Sequence, residues 1–192
     1  MQLNVYLISH PIIHKLSTQL MYFTKNKNNI NAQTYNGLNL FLIYETLRKL
    51  VRTKTIYMKN IDYIEETSMF NPQESYLLLT NIENCSDIIT YLKNIIPKLS
   101  LIHINLNKKQ YINKNYLSES IINIANNQKI IIMENFLDSN SIIQLIEYLI
   151  YNIKIKDNKI KIICITCTNN ILEIINNKYP LLEIYTTKII NS

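Results

Sequence analysis

A chain of 192 residues has the size of one domain and can bury most of its apolar surface, so neither a metal nor a disulfide is needed as a staple. Its 47% hydrophobic content is that of a globular protein, and the abundance of Ile, Asn, Lys and Tyr matches the codon bias of an AT-rich genome. The net charge of +6 reflects the same lysine enrichment and is weak support for a nucleic-acid partner, because the residue best suited to reading phosphates and bases occurs only at Arg48 and Arg52.

In chain order, Leu3 to Ile8 reads as a short strand, and Ile12, Ile13, Leu16, Leu20 and Phe23 carry helical spacing. A polar loop over Thr24–Asn31 leads to a long helix over Ala32–Val51, interrupted only by Gly37, the sole glycine of the chain. Thr55–Ile64 is strand-like, and Asn71-Pro72 closes the loop that follows. Alternation then sets in. Tyr76–Thr80 is a strand, Ser86–Ile96 a helix stopped by Pro97, and Leu99–Leu106 a strand. Lys108–Asn115 reads as a loop, and Leu117–Ala125 fits either helix or strand. Lys129–Met133 is a strand, Ser139–Tyr151 a helix, Lys159–Ile165 a strand, Asn170–Lys178 a helix stopped by Pro180, and Leu182–Tyr185 a last strand.

This order is that of βαβ crossovers on a mostly parallel sheet flanked by helices. The near-continuous apolar runs at 99–106, 130–133 and 160–165 are those of strands covered on both faces. With no internal repeat and no linker, residues 1–192 are read as a single α/β domain. Such sheets bind ligands at the carboxyl ends of their strands. The segment of interest is therefore Ile130 to Ser141, where a strand is expected to end, a polar turn to follow, and a helix capped by Asp138 or Ser139 to begin.

Several local patterns have structural explanations. His10 and His14 have metal-ligand spacing, but Pro11 opens the helix after His10 and no third ligand is indicated. Cys164-x-x-Cys167 lies in a strand, where residues three apart face opposite ways, so core packing is expected rather than redox chemistry. Lys154/Lys156 and Lys159/Lys161 flank a turn and read as a solvated face. Glu45 and Arg48 have the spacing of a helix-face ion pair, with Tyr44 beside them at a possible subunit contact. Three cysteines (Cys85, Cys164, Cys167) without secretory features point to a reducing compartment. Neither a signal peptide, a transit peptide nor an apolar run of about 20 residues is evident.

Taken together, His10-Pro11, His14-Lys15-Leu16, Tyr44-Glu45-Thr46-Leu47-Arg48, Ile96-Pro97, His103-Ile104-Asn105-Leu106, Cys164, Tyr179-Pro180 and Ile184-Tyr185-Thr186 resemble, in order and spacing, the uracil phosphoribosyltransferase family. The resemblance implies a type I phosphoribosyltransferase-like fold. It also implies a reaction in which uracil displaces pyrophosphate from phosphoribosyl pyrophosphate (PRPP) to give UMP. Mg²⁺ assists that reaction, and oligomers are common.

The ligand-contacting stretches depart from the family. Its PRPP loop runs Asp-Pro-Met-Leu-Ala-Thr-Gly-Gly-Ser; this chain has Glu134-Asn135-Phe136-Leu137-Asp138-Ser139-Asn140-Ser141. On this resemblance Glu134, Ser139, Asn140 and Ser141 are the vestigial substrate-binding positions. Both loop glycines, which let backbone N–H groups turn inward around a phosphate, are gone. Asp138 adds a like charge, and two charges about 4 Å apart repel by roughly 4 kcal/mol at an effective dielectric of 20. The family's pyrophosphate turn falls near Ile82-Glu83-Asn84-Cys85-Ser86-Asp87, with Glu83 in place of Arg. The family's Gly-rich uracil-binding segment beyond Ile-Tyr-Thr has no counterpart before Ser192.

The expectation is a homologue with lost or severely reduced activity, located in the chloroplast stroma of a plastid or otherwise in the cytoplasm. The alternative is a non-catalytic interaction subunit, or an RNA-binding regulator, on the same fold. No catalytic residue, metal site or cofactor is expected. Mg²⁺, PRPP and uracil enter only if activity is retained. A homo-oligomer is possible, and neither membrane nor nucleic acid is an expected partner.

Overall fold

The computed structural model describes residues 3–25, 32–82, 86–96, 98–104, 106 and 128–191. The elements are β1 (Asn4–Leu7), α1 (Pro11–Lys25), α2 (Ala32–Leu50), β2 (Thr53–Lys59), β3 (Ile64–Phe70), β4 (Tyr76–Thr80), α3 (Ser86–Ile95) and β5 (Leu99–His103). They continue with β6 (Lys129–Leu137), α4 (Ser141–Glu147), β7 (Ile160–Thr168), α5 (Asn169–Lys178), β8 (Glu183–Thr186) and β9 (Lys188–Ile190). Helix α4 runs on into a π-helical turn at Tyr148–Asn152, and a 3₁₀ turn at Asp157–Lys159 precedes β7. The loop read at 108–115 and the ambiguous stretch at 117–125 lie outside the described residues.

Seven strands form one sheet in the order β1-β8-β7-β6-β4-β5, with β9 beside the far end of β7, and every pairing in it is parallel. Parallel neighbours need long crossovers, and helices supply them on both faces. Side-chain alternation then sorts the apolar residues into two cores. Leu77, Leu79, Ile130, Ile132, Ile160 and Ile162 pack with α4 and α5. Tyr76, Leu78, Ile131, Met133, Ile163 and Ile165 pack with α1, α2 and α3. The fold is thus the expected α/β, phosphoribosyltransferase-like architecture, and its central strands are apolar without interruption because both faces are buried.

One stretch departs from the sequence reading. Thr55–Ile64 is not a single strand but the middle of a hairpin, β2 paired antiparallel with β3 from Thr53↔Phe70 to Lys59↔Ile64. This ribbon forms a sheet of its own. The neighbouring apolar residues Ile56-Tyr57-Met58 and Met69-Phe70 give β propensity but fall on both faces, so neither face is assigned to a core. Its root is fastened: Arg52 N–H donates to Glu74 Oε2 (3.2 Å), Asn71 N–H to the Arg52 carbonyl (3.0 Å), and Lys129 Nζ to the Leu50 carbonyl (2.6 Å) and Glu74 Oε1 (2.7 Å). Against the upward push of partial burial, the hydrogen bonds from Lys129, Tyr76 and Arg52 hold Glu74 below the usual carboxylate range.

Glycine poverty shows at two helix ends. Lys98 (φ 55°), after α3, and Lys154 (φ 63°), after the π-helical turn, occupy left-handed conformations where glycine is customary. Gly37 has no such duty, since a Cβ there would meet Leu16 Cδ1 at an ordinary 3.7 Å. Substituting Gly37→Ala is therefore expected to stabilise the fold by about 0.5–1 kcal/mol through helix propensity, and Lys154→Gly by about 1 kcal/mol through relief of strain. By contrast, Leu79→Ala, at a fully buried position, should cost about 3 kcal/mol. Urea denaturation of the three variants at fixed pH measures all of these.

Candidate functional site

The strand carrying the vestigial positions is longer than its sequence pattern implies. β6 does not end at Met133; it continues through Glu134, Asn135 and Phe136 to Leu137, still paired with β7 as Glu134↔Cys164, Phe136↔Thr166 and Leu137↔Cys167. The turn is only Asp138-Ser139-Asn140. Neither Asp138 nor Ser139 caps α4. The N-cap is Asn140, in a right-handed conformation (φ −65°, ψ −10°) and without a side-chain capping bond. Its carbonyl accepts the N–H groups of Ile143 (3.1 Å) and Gln144 (3.2 Å), so the helix starts tightly. The reason is packing: Ile142, Ile143, Leu145 and Ile146 are all buried, and docking this apolar stripe fixes where the helix begins.

The four sequence-designated positions therefore separate. Ser139, Asn140 and Ser141 lie at the turn, half-buried, exposed and half-buried in that order. Glu134 is withdrawn into the strand, 9% exposed. It shares its face of the sheet with Ile130 and Ile132, and its Oε1 finds no hydrogen-bond partner. Burial, with a smaller contribution from Asp138, pushes its carboxyl up to about 7, against a hydrogen bond from the Asn135 backbone that lowers it. The family's Mg²⁺ does not fit as a resident ion at this turn. Glu134 is buried within the strand, which leaves Asp138 as the one exposed carboxylate at the turn, too few oxygen donors for a hard cation. Among the described residues no group of three or more His, Cys, Asp and Glu side chains is placed to hold a metal.

Polar residues do gather at this rim, though not the ones the sequence pattern singles out. Asn39, fully buried in the middle of α2, donates from Nδ2 to Asn135 Oδ1 (3.1 Å), tying the long helix to the end of β6. Tyr35, one turn earlier, meets Phe136 edge-to-face at 6.4 Å between centroids, and burial pushes its hydroxyl up. Thr80 and Asn81, at the end of the neighbouring β4, are also buried. The available signal was Asn39 itself, a polar residue beside the apolar positions Leu38 and Leu42 of α2. The expected pyrophosphate turn cannot be placed, since residues 83–85 lie outside the described residues.

Other sequence readings resolve as follows. His10 caps α1, accepting the Ile12 N–H on Nδ1 (3.2 Å) and stacking on Phe41. Glu45 and Arg48 form the expected i,i+3 pair at 3.0 Å. Lys161 is not part of a solvated stripe; it is largely buried and paired with Glu183. The cysteines also correct an expectation. Cys164 and Cys167 do not face opposite ways but join the same core cluster. β7 leaves β8 after Ile163 and takes β9 from Thr166, and this change of partner coincides with the departure from simple alternation. Both thiols are free and buried. Hydrogen bonding to Cys167, together with complete burial, pushes the Cys164 thiol up.

Two curated relatives are similar over nearly the whole chain. A "Uracil phosphoribosyltransferase homolog" of Porphyra purpurea is 26% identical, covering 98% of this chain and 89% of the relative. A protein of the same description from Pyropia yezoensis is 27% identical with the same coverage. No protein-family model matches. Among solved structures, the AQ2163 protein from Aquifex aeolicus superposes with a TM-score of 0.67 at 12% identity, covering 97% of this chain and 88% of that one, a likeness of fold.

Glu134 gives the site a pH signature. A carboxyl whose folded pKa is raised from 4.5 to about 7 holds its proton in the native state after the unfolded chain has lost it. The native state binds more protons across that window, so stability falls as pH rises from about 4.5 to 7 and the deficit is complete above it. At about 1.4 kcal/mol per pKa unit the deficit is on the order of 3 kcal/mol. Glu134→Gln should therefore stabilise the protein by that order at pH 8, have little effect at pH 4, and flatten the pH dependence between. Urea titrations across the range check the sign.

Proposed function

Because the chain is a divergent uracil phosphoribosyltransferase-like protein, we propose that it keeps the framework of that family without its reaction and serves as a non-catalytic interaction subunit. The observation that carries this reading is the turn between β6 and α4. A phosphate cradle made of backbone alternates right- and left-handed residues so that successive N–H groups converge. Here Asn140 is right-handed, and among the described residues the only positive φ values belong to Lys98 and Lys154, both elsewhere. Phe136 and Leu137 continue the strand, and Asp138 adds an exposed negative charge where a pyrophosphate would approach. Withdrawal of Glu134 removes the carboxylate that the resemblance would set against ribose hydroxyls.

The reading has a place as well as a role. The AT-rich codon bias and the red-algal relatives support a plastid origin. No helix among the described residues is long and apolar enough to cross a membrane.

Purified protein given PRPP, Mg²⁺ and labelled uracil should form no UMP above the no-enzyme control. PRPP should also leave the melting temperature unchanged, whereas a ligand present at about a hundred times its Kd stabilises by roughly 2.7 kcal/mol. UMP formation at an ordinary enzymatic rate would refute the reading.

A further inference from the structure

Cys164 and Cys167 are reactive groups that neither the fold nor the proposed role accounts for. In a regular strand, residues three apart face opposite ways with Cα atoms about 10 Å from each other, beyond the ~7 Å that a disulfide spans. β7 is not regular here. Its ladder with β6 runs from Ile130↔Ile160 to Glu134↔Cys164 and resumes at Phe136↔Thr166, while its other neighbour changes from β8 to β9. Ile163 and Ile165 face the core against α1, α2 and α3, yet both cysteines join the opposite core. The break around Ile165 thus turns the two thiols to one side and brings them into hydrogen-bonding contact.

The contact is asymmetric. The hydrogen bond with Cys167 and complete burial push the Cys164 thiol up. The same bond holds the Cys167 thiol below its ordinary range, against burial and with help from the Thr186 hydroxyl. Cys164 is therefore the donor of the pair and Cys167 the acceptor, the arrangement of a resolving thiol beside an attacking thiolate. Cover over Cys167 is also thin. Its Sγ lies 3.9 Å from the Lys188 carbonyl of β9. That strand has three residues, pairs with β7 among the described residues, and leaves Lys188 and Ile190 exposed. An exposed bond from Asn169 Nδ2 to Asn191 Oδ1 (2.6 Å) ties it to the start of α5. Short, exposed elements open locally at far lower cost than the whole fold.

We propose that Cys164 and Cys167 form a reversible dithiol–disulfide couple, oxidised by low-molecular-weight disulfides when β9 lifts, and that the closed disulfide keeps β9 off the sheet. The Cys167 thiolate attacks one sulfur of the small disulfide, forming a mixed disulfide and expelling one small thiolate. The Cys164 thiolate then attacks the Cys167 sulfur, which forms the internal bond and expels the second. Two protein thiols are oxidised, one small disulfide is reduced, and both protons leave with the two small thiols. Closure draws the sulfurs from hydrogen-bonding contact to about 2 Å. Cys167 is the central rung of the β9 ladder, between Thr166↔Lys188 and Thr168↔Ile190, so its displacement acts on all three rungs. The thiol state thereby sets whether the end of β7 keeps its last neighbour.

The test is incubation of the reduced full chain with oxidised glutathione, followed by alkylation and peptide mass mapping. One tryptic peptide, Ile162–Lys178, holds both thiols and separates them from Cys85. In the wild type this peptide should lose two hydrogens and resist alkylation, and dithiothreitol should reverse both changes. Cys164→Ala should stop at a mixed disulfide on Cys167, whereas Cys167→Ala should leave Cys164 unmodified. Amides of Lys188–Ile190 should exchange roughly tenfold faster in the oxidised chain, with those of β4 unchanged. Asn191→Ala touches neither thiol and loosens β9, so it should speed oxidation severalfold; the position is exposed, and the melting temperature of the reduced chain should hold. A peptide that keeps both thiols under conditions that oxidise the unfolded chain would overturn the proposal. So would a wild type that stops at the mixed disulfide, closure onto Cys85, or a β9 that exchanges equally slowly in both states.

Discussion

Burial of the central strands on both faces is the constraint from which the rest follows. β4, β6 and β7 send alternate residues into two separate cores, and neither core tolerates an unpaired polar group in the middle of the sheet. Polar chemistry is thereby pushed to the carboxyl rim, where Thr80, Asn81, Glu134, Asn135 and Thr166 collect. The rim is itself partly roofed, because β6 and β7 stay paired as far as Leu137 and Cys167. A carboxyl at Glu134 therefore sits in a place built for hydrocarbon, which is why its proton is held so strongly. The rim is a site by topology, and the extension of two strands has converted much of it into core.

The sequence made this architecture readable where hydrophobic pattern and length were decisive. Tyr76–Thr80 and the helix at Ala32–Leu50 lie where periodicity puts them, because burial on a long apolar stretch overrides local detail. The ends of β6 and β7 were not readable. Glu134-Asn135 looks like the start of a turn, and nothing local indicates that Phe136 and Leu137 return to the ladder; the partner strand decides it. The hairpin escapes the pattern for the opposite reason. Its β propensity is real, but its apolar residues fall on both faces and answer to no buried side in this chain, so pattern alone does not separate two strands from one.

At the candidate site, the residue types were legible and their arrangement was not. Ser139, Asn140 and Ser141 do lie at the turn, whereas Glu134 faces inward and Asn39, from a distant helix, braces the strand end through Asn135. Such a brace spans 96 positions of chain and leaves no local trace beyond one amide among leucines. The cysteines show the same limit: a change of β partner between Ile163 and Thr166 accompanies their meeting, and spacing could not foresee it.

The two left-handed lysines show that glycine's contribution divides into separable parts. Lys98 and Lys154 reach the backbone conformation that glycine usually supplies, at a modest energetic cost, and Lys98 still extends its side chain to donate from Nζ to the Pro72 carbonyl. Conformation, then, can be had from an ordinary residue. Room cannot, because a Cβ occupies the volume through which a bound anion would touch the main chain. A lineage whose codons drift away from glycine can hold on to helix ends and loop directions indefinitely, while any surface that worked by bare peptide is filled in. On such a path shape outlives chemistry, and what survives for selection to use is the outside of the molecule.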